Sequence, residues 1–549
     1  MSVVTSTILS AGAAIPDTIE LLALDIRREL NRIPRASLTL IEHVGLADAA
    51  FEASDGAWFE PGQKIEIKLR YEDDSASEAT VFKGLVVRHA IEMDARGALL
   101  KVELKDEAVK LTRPRRSAVY KDMSDSDAIA KLVGDAGLTA GTIDSTEPAH
   151  KALVQYDCSD WDFIVSRADV MGLVVLAEDG ALSAKAPATD GAAKFGLEFG
   201  REEIFDFEFE TDAGCQDGDL KASAWDPKNQ KAEESGPAQS PTATLGNLDG
   251  AKLAGLVGYG PAVLTHMVPL EQKELQAWAD ASMARSRLAL VRGRLSTTGR
   301  GDVALLDMVD LTGIGARFEG SGLVTGFRHR LDAAGWRLDL QFGLSSHGFS
   351  DQVSINQAPA AGLLPAAPGV QVGIVDAVAE DPDKEFRISV LLPLLGSDPT
   401  PLWARLATPY AGAGHGQMFR PEVGDEVVVG FFNQDPRHPV ILGSLYSSKN
   451  APPDALAEDD KENKAKGIVT ASGIKMFWLD GDKPALSFEL PSGAKLLLDD
   501  DKESILIADK HGNTITLDKD GVTIKSIKDF KVDAGSGKVE IAGTQVDLK

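Results

Sequence analysis

The chain has 549 residues, with 57 Lys and Arg against 84 Asp and Glu, so its formal net charge is −27. Because one domain takes ~100–200 residues, this length predicts roughly three to five domains, each able to bury a core without disulfides or metals. A surface this acidic repels phosphate backbones and argues against a nucleic-acid partner. The two cysteines, Cys158 and Cys215, exclude a disulfide framework and a cysteine-rich zinc site.

The beginning of the chain lacks the features of a secretory signal. No Lys or Arg precedes Arg27, so there is no basic region ahead of an apolar one. No stretch approaches the ~20 consecutive apolar residues that a membrane-spanning helix needs. We therefore expect synthesis and assembly in the cytoplasm without a signal peptide.

The first hundred residues predict short antiparallel strands. Residues 64–70 alternate apolar and polar side chains without a fault, which is the period of a half-buried strand. Residues 36–42, 81–87 and 99–104 are of the same kind, and glycines separate the runs. A series of short antiparallel strands closes most easily as a barrel.

Helical spacing appears after residue 120. Apolar residues at helical intervals, a capping box at Ser124 and Asp127, and Gly137 as the end signal predict a first helix. A second is expected from Asp160 to Met171, and a third over roughly 270–291. Strands are expected again at 174–182, at 204–210 and within 307–342.

Composition shifts divide the chain. A Pro/Ala-rich stretch at 351–369 predicts an extended linker after a first region, 1–350. Residues 370–446 predict about five strands, the size of an OB-type barrel. A charged linker at 447–466 separates this barrel from a last region, 467–549.

The last region carries a repeat of two apolar residues with one residue between them. Asp, Lys and Gly fill the gaps, as at 509–513 and 518–521, which is turn chemistry. Each strand would offer only two inward residues. The seven pairs are Leu496/Leu498, Ile505/Ile507, Ile515/Leu517, Val522/Ile524, Phe530/Val532, Val539/Ile541 and Val546/Leu548.

Two arrangements accommodate such short strands. A single-chain solenoid with ~20 residues per coil would have only about two and a half coils, fewer than the three or so that stability requires. If three chains each supply one face, all seven strands become layers of one core, and open strand edges disappear. We favour the second arrangement, an intertwined trimeric β-helix or β-prism.

Two motifs in the predicted barrel point to a family. Residues 419–431, FRPEVGDEVVVGF, and 435–446, DPRHPVILGSLY, resemble the OB-fold hallmark of the Vgr-type spike family of contractile injection systems. Residues 120–127, 155–164 and 320–329 are similar to the hub domain of that family. The length is most similar to spikes of extracellular injection particles.

The resemblance implies a mainly β protein: a phage-hub-like region of paired barrels with small α/β insertions, an OB-fold barrel and a β-helical needle. It also implies a homotrimer that connects a hexameric tube and a baseplate to a membrane-puncturing tip. The implied partners are the inner tube ring protein, baseplate proteins and a PAAR-type tip protein, with transient contact to a target membrane. The tip protein would meet the end of the needle at Val546, Leu548 and Lys549.

The alternative is an enzyme, a tail-associated hydrolase of cell wall or polysaccharide. The interval between the barrel and the needle, about twenty residues, is too short for a hydrolase domain of ~100 residues, and none is expected after Lys549. Motifs such as HExxH, GxSxG and GxxxxGK[ST] are absent from the sequence. We predict no catalytic residue, cofactor or metal, and interpret Gly412–Gly416, Asp499–Asp501 and Asp518–Gly521 as loops and turns.

Overall fold

The computed structural model describes residues 3–43, 51–95, 97–201, 204–242, 245–396, 400–457 and 462–547. The chain forms two compact units, Met1–Gln357 and Ala358–Lys549. Both consist mainly of β-strands, as the sequence predicts. No helix in these ranges is both long and apolar enough to cross a membrane.

The first unit contains 21 strands and six helices in its described residues. The strands are β1 (Val4–Ser10), β2 (Ala13–Ala14), β3 (Leu21–Glu29), β4 (Arg35–Glu42), β5 (Lys64–Tyr71), β6 (Asp74–Asp94), β7 (Gly97–Lys105), β8 (Arg115–Tyr120), β9 (Thr139–Ile143), β10 (Leu153–Ser159), β11 (Val174–Glu178), β12 (Ala181–Lys185), β13 (Phe195–Glu198), β14 (Ile204–Thr211), β15 (Leu220–Asp226), β16 (Lys231–Glu234), β17 (Ala262–His266), β18 (Val291–Thr298), β19 (Met308–Thr312), β20 (Gly320–Asp332) and β21 (Gly335–Phe342). The helices are α1 (Glu52–Asp55), α2 (Asp125–Asp135), α3 (Asp160–Val170), α4 (Gly250–Val257), α5 (Gln272–Leu288) and α6 (Phe349–Gln352).

Thirteen of these strands form one continuous sheet in the order β14-β18-β21-β20-β3-β4-β7-β6-β5-β1-β2, and β13 and β19 attach through β20. The sheet packs on two separate apolar cores. One lies around β3 to β7 and contains Phe59 and Phe82, whereas the other lies around β18 to β21 and contains Leu338 and Phe342. Antiparallel pairing of β3 with β20 joins the two halves.

Alternation along each strand decides which side faces a core. In β5, Ile65, Ile67 and Leu69 are buried, and the charged residues between them lie on the other side. Because side chains of a strand point alternately to its two faces, one face of the sheet is apolar and the other is charged.

Two α/β insertions interrupt the sheet. In the first, α2 and α3 pack on β8 to β12. The predicted capping box is present, since Ser124 and Asp127 exchange both hydrogen bonds, and Gly137, with φ +69°, follows the end of α2. In the second, α5 covers β15, β16 and β17. This three-stranded sheet and α4 were not predicted from the sequence.

A buried ionic cluster ties the two insertions together. Asp125 is fully buried and accepts hydrogen bonds from Arg167 at 2.6 Å and 3.1 Å. The same carboxylate lies 3.0 Å from Nε2 of His150. Arg167 also donates to Glu274 of α5 at 2.8 Å. A buried charge of this kind is tolerated only while its partners are in place.

A neutral histidine lies inside the thirteen-stranded sheet. His329 is completely buried, and burial, together with the nearby charge of Arg28, lowers the pKa of its imidazole to about 3. Nε1 of Trp336 donates a hydrogen bond to its Nδ1 at 3.3 Å. That bond needs an unprotonated nitrogen, so the neutral ring is the form that the fold accommodates.

The second unit begins with a closed five-stranded barrel in the order β22-β23-β24-β28-β27. Eight fully or nearly fully buried residues, among them Val375, Ile388 and Ile441, form its core. The strands of the barrel are β22 (Gln371–Ala377), β23 (Ile388–Leu391), β24 (Leu402–Leu406), β27 (Glu426–Phe431) and β28 (Pro439–Ser444). A separate hairpin of β25 (Ala411–Gly412) and β26 (His415–Gly416) lies between β24 and β27 in the chain, and the short helix α7 (Asp454–Ala457) follows the barrel.

The residues ahead of the barrel are not a fully extended spacer. A helical turn at Pro359–Gly362 packs against the loop between β27 and β28, and Ala360 is buried. The amide of Ala367 also donates to the carbonyl of Gln434 at 2.9 Å. Backbone and side-chain contacts thus fix this part of the predicted linker to the barrel.

The unit ends in a seven-stranded antiparallel meander, in which each strand pairs with the next. The strands are β29 (Ala465–Val469), β30 (Lys475–Leu479), β31 (Ala485–Glu489), β32 (Lys495–Asp499), β33 (Ser504–Ala508), β34 (Thr514–Asp518) and β35 (Gly521–Lys525). Between Ser526 and Asp547 the structure shows no strand. The sequence-based assignment of strands at 530–532 and 539–541 is therefore wrong for one copy of the chain.

The chain leaves the sheet at a defined point. After β35 the amide of Ile527 donates to the side chain of Asn513 at 2.9 Å instead of turning back to pair with β35. Phe530 and Ile541 then remain 63% and 76% exposed. These apolar pairs have neither a strand partner nor a core within one chain, which explains why they form no further strands.

Candidate functional site: the apolar face of the meander

The register of the meander aligns apolar residues in two rows. Residues directly opposite each other on neighbouring strands lie on the same face of a sheet. The first row is Ile468, Met476, Phe488, Leu496, Ile507, Ile515 and Ile524, and the second is Trp478, Leu486, Leu498, Ile505, Leu517 and Val522. We call these thirteen residues the apolar face.

The apolar face is left uncovered in the described part of the second unit. Among the described residues beyond Ile441, namely 442–457 and 462–547, not one is buried. Ile507 is 47% exposed, and Val522 is 67% exposed. The barrel just before it buries eight residues with fewer strands. A regular sheet with so much exposed apolar area on one side lacks its second layer.

Turns between the strands hold the register. The side chain of Asp509 accepts hydrogen bonds from the amides of His511 and Asn513, both at 2.9 Å. A further hydrogen bond from the side chain of Asn513 holds the pKa of the Asp509 carboxyl below its usual value. Gly512 takes a φ of +94°, which a side chain would oppose. The polar gaps of the repeat are therefore turns, as predicted.

The opposite face of the meander is mixed and becomes polar toward its end. Its central row runs Gly467, Phe477, Ser487, Leu497, Leu506, Thr516 and Thr523. Charged residues lie at strand ends on this face, where Glu489 is directly opposite both Lys475 and Lys495. This asymmetry identifies the apolar face as the side that must be covered.

A groove continues the apolar face toward the barrel. It measures about 520 Å³ and runs along the first row, from Ile468 past Phe488 to Ile507. Phe419, which follows β26 and is itself 61% exposed, lines the groove as well. Phe419 belongs to the motif that gave the family resemblance, so that motif contributes to the same uncovered surface.

The three residues predicted to meet a tip protein are only partly visible. Val546 is 53% exposed and belongs to no strand. Leu548 and Lys549 lie outside the described residues. Their assignment to a tip interface stays a prediction.

The segments considered for chemistry form loops and turns. Residues 411–416 make the two-stranded hairpin β25–β26, where the ring of His415 lies 5.1 Å from that of Tyr410. Asp499 pairs with Lys502 at 3.0 Å. The amide of Asp520 donates to Asp518 at 2.9 Å, which closes a turn. In the described ranges no three His, Cys, Asp or Glu side chains are grouped so that they could hold a metal ion.

Sequence reasoning missed part of the apolar face. The repeat was counted from Leu496, whereas the sheet begins thirty residues earlier with β29. The same signal was present there, because Met476/Trp478 and Leu486/Phe488 are also apolar pairs with one residue between them. Larger aromatic and sulfur-containing side chains obscured a pattern that Ile, Leu and Val make plain further on.

Two family profiles match the chain, one over most of the first unit and one over the barrel. A family profile described as "Alg8 N-terminal domain" matches residues 1–333, and one described as "Type VI secretion system/phage-baseplate injector OB domain" matches residues 371–446. The type VI secretion system spike protein VgrG3 of Vibrio cholerae is 45% identical over 56 residues, 10% of this chain and 6% of that protein. VgrG5 of Pseudomonas aeruginosa is 38% identical over 71 residues, 13% of this chain and 8% of that protein. The chain thus matches less than a tenth of the length of either relative.

Alignments with solved structures span more of the chain, at low similarity. A tail protein from Neisseria meningitidis covers 63% of this chain and 98% of its own length, at 14% identity and a TM-score of 0.46. The E. coli c3393 protein, described as a component of the type VI secretion system, covers 80% of this chain and 99% of its own length, at 15% identity and a TM-score of 0.39. Because the first profile matches more than half of its length, the chain belongs to the Alg8 N-terminal domain family; behind that region it carries an injector OB domain, and short stretches of it are similar to type VI spike proteins.

Proposed function

We propose that this chain is a non-enzymatic structural spike of a contractile injection system. In this proposal it is a homotrimer that connects the tube and the baseplate to a membrane-puncturing tip. One observation carries the proposal: the meander is a seven-stranded sheet whose apolar face contains no buried residue in the described part of the second unit. Such a sheet is stable only when other copies supply the missing layers.

The size of the effect is large enough to drive assembly. If each of the thirteen residues of the apolar face loses roughly 60 Å² of exposed surface, the burial contributes about 20 kcal/mol per chain at ~25 cal/mol per Å². Association and side-chain ordering offset a substantial part of this gain. The burial of the apolar face therefore favours association of the chains.

The shape of the meander favours three copies over two. Five-residue strands make a ribbon ~17 Å wide, and seven strands spaced ~4.8 Å apart make it ~30 Å long. Two such ribbons packed face to face would enclose a core that is only two residues wide. Both long sides of that core would be exposed to water. Three ribbons forming a triangular prism close those sides against one another, so all apolar rows face a common axis.

The mechanical role follows from the same geometry. In a prism the strands are stacked along the axis, and the hydrogen bonds between them run in that direction. A push along the axis compresses a packed core, and bending must break many hydrogen bonds at once. A rigid shaft of this kind transmits force to a small area of a target membrane.

The partners in this proposal follow from the family. The first unit would dock on the inner tube ring and on baseplate proteins, and a PAAR-type protein would cap the needle at Val546, Leu548 and Lys549. The spike would be assembled in the cytoplasm and act in the baseplate of the particle. Supporting this view, two relatives that match 10% and 13% of this chain are named as type VI secretion system spike proteins.

Purified contractile particles test this function. We expect quantitative mass spectrometry to find three copies of the chain for each six of the tube-ring protein in one ring. An epitope tag on an exposed loop of the first unit should label one end of the particle. Absence from the particle, or a distribution along the sheath, would refute the role. Hydrolysis of peptidoglycan by the purified chain would support the enzyme alternative instead.

A further inference from the structure

A row of four positive side chains crosses the charged face of the thirteen-stranded sheet. Lys105 of β7 lies directly opposite Arg35 of β4, Arg35 opposite Arg27 of β3, and Arg27 opposite Arg328 of β20. Direct cross-strand partners share a face, so the four side chains form one line, which we call the cationic row. With strands ~4.8 Å apart, the row spans ~14 Å.

The row is only half neutralised. Asp25 serves both Arg27, at 3.2 Å, and Arg328, whose Nε lies 2.9 Å and 3.0 Å from its carboxylate oxygens. For Arg35 and Lys105, both exposed, the described part of the chain provides no ion pair. Two further carboxylates near the row are engaged elsewhere: Glu103 by Arg88 at 2.7 Å, and Asp339, directly opposite Arg328, by Arg330 at 2.7 Å.

This arrangement costs stability in the free chain. Like charges placed directly opposite each other on neighbouring strands repel, and the row contains three such contacts in succession. The repulsion is notable in a chain with 84 acidic and 57 basic residues, where carboxylates to relieve it are abundant. A concave site of about 360 Å³ lies at this place, and its charged lining consists of Arg27, Arg35 and Lys105 together with Asp25 and Glu103.

We propose that the cationic row is a docking site for a carboxylate-rich, extended segment of a partner protein. Charge complementarity carries the choice, since Arg forks and Lys both bind carboxylates by charge-assisted hydrogen bonds. An extended segment rises ~3.3 Å per residue, so acidic residues at every second position recur at ~6.6 Å and place three carboxylates along the row.

A protein segment fits better than a nucleic acid. Asp25 and Glu103 stand beside the row on the same face, each directly opposite Ser37 of β4. A phosphate backbone with its continuous charge would meet these two carboxylates and the acidic surface around them. A peptide can place its acidic side chains on the row and neutral ones beside it.

The site is tested with the full chain and a fluorescein-labelled peptide of six Glu-Ser repeats, by fluorescence anisotropy at low and high salt. The variant Arg35→Glu/Lys105→Glu reverses the two unpaired charges. The control Lys231→Glu/Lys252→Glu makes the same change of net charge at two exposed lysines of the second insertion. A further variant, Arg35→Gln/Lys105→Gln, removes the charges without introducing repulsion. A six-repeat Gln-Ser peptide and a twelve-residue thymidine oligonucleotide complete the set of probes.

We expect the wild type and the lysine control to bind the Glu-Ser peptide alike, and both Arg35/Lys105 variants to bind it about tenfold more weakly or worse. The Gln-Ser peptide should not bind, and higher salt should weaken the Glu-Ser complex. Equal binding by all variants, or no binding by the wild type, would overturn the proposal. Tighter binding of the oligonucleotide, lost in the Arg35/Lys105 variants, would replace it with a nucleic-acid site.

Discussion

Replacing Ile515 by Glu separates assembly from folding. Ile515 lies in the middle of β34, with Ile507 and Ile524 as its direct cross-strand neighbours. In one copy of the chain it is already 36% exposed, so a glutamate there costs the isolated meander only ~1 kcal/mol. In a prism the same carboxylate is buried among three copies, at a cost of several kcal/mol each, or more than ~10 kcal/mol for the trimer.

The matched control is Thr516→Glu, one residue further along the same strand and on the opposite face. We expect light scattering coupled to size-exclusion chromatography to find Ile515→Glu as a monomer and Thr516→Glu as a trimer. Circular dichroism should show both variants folded in their first unit and barrel. A trimer of unchanged thermal stability in Ile515→Glu would refute the assignment of the apolar face.

Three further changes test the units themselves. The pKa of His329 is about 3 in the folded chain and ~6.5 in the unfolded chain. Between these values only the unfolded chain binds the proton, so the free energy of unfolding decreases as the pH is lowered, by about 2 kcal/mol at pH 5. His329→Gln should flatten that slope in urea unfolding at pH 7 and pH 5, and an unchanged slope would contradict the assignment. Asp125→Asn should destabilise the first unit by about 3 kcal/mol in denaturant unfolding, because it leaves the buried Arg167 short of a counter-charge; an unchanged midpoint would show that Glu274 alone suffices. Truncation after Tyr446 should leave the calorimetric melting of the first unit and barrel unchanged, because no buried residue of the described chain lies beyond Ile441; a lower melting temperature would show that the meander supports them.

The sequence predicts an element well where its signal is local. The helix that starts after Ser124 was placed correctly because both its cap and its apolar spacing lie within one short window. The expectation of about five strands within 370–446 is likewise met by the closed barrel of β22, β23, β24, β27 and β28. In both cases the residues that determine the element are neighbours in the chain.

Prediction failed where partners are distant or absent. Strand β17 pairs in parallel with β15 across some forty residues, and no local pattern indicates that pairing. At the other end, Phe530/Val532 has the same pattern as Ile505/Ile507, yet only the latter is a strand. The pattern reports what a segment can bury, whereas a strand also needs a neighbour that satisfies its backbone. The apolar face was therefore predictable in kind, including β30 and β31, whose apolar pairs were not counted, whereas the point at which the sheet ends was not predictable.

The most direct test of the account is the mass of the full chain in solution. Multi-angle light scattering at micromolar concentration should give about three times the 58.3 kDa of the chain, with no monomer on moderate dilution. A particle of 58.3 kDa with a stably folded meander would contradict the account, because the apolar face would then need no partner.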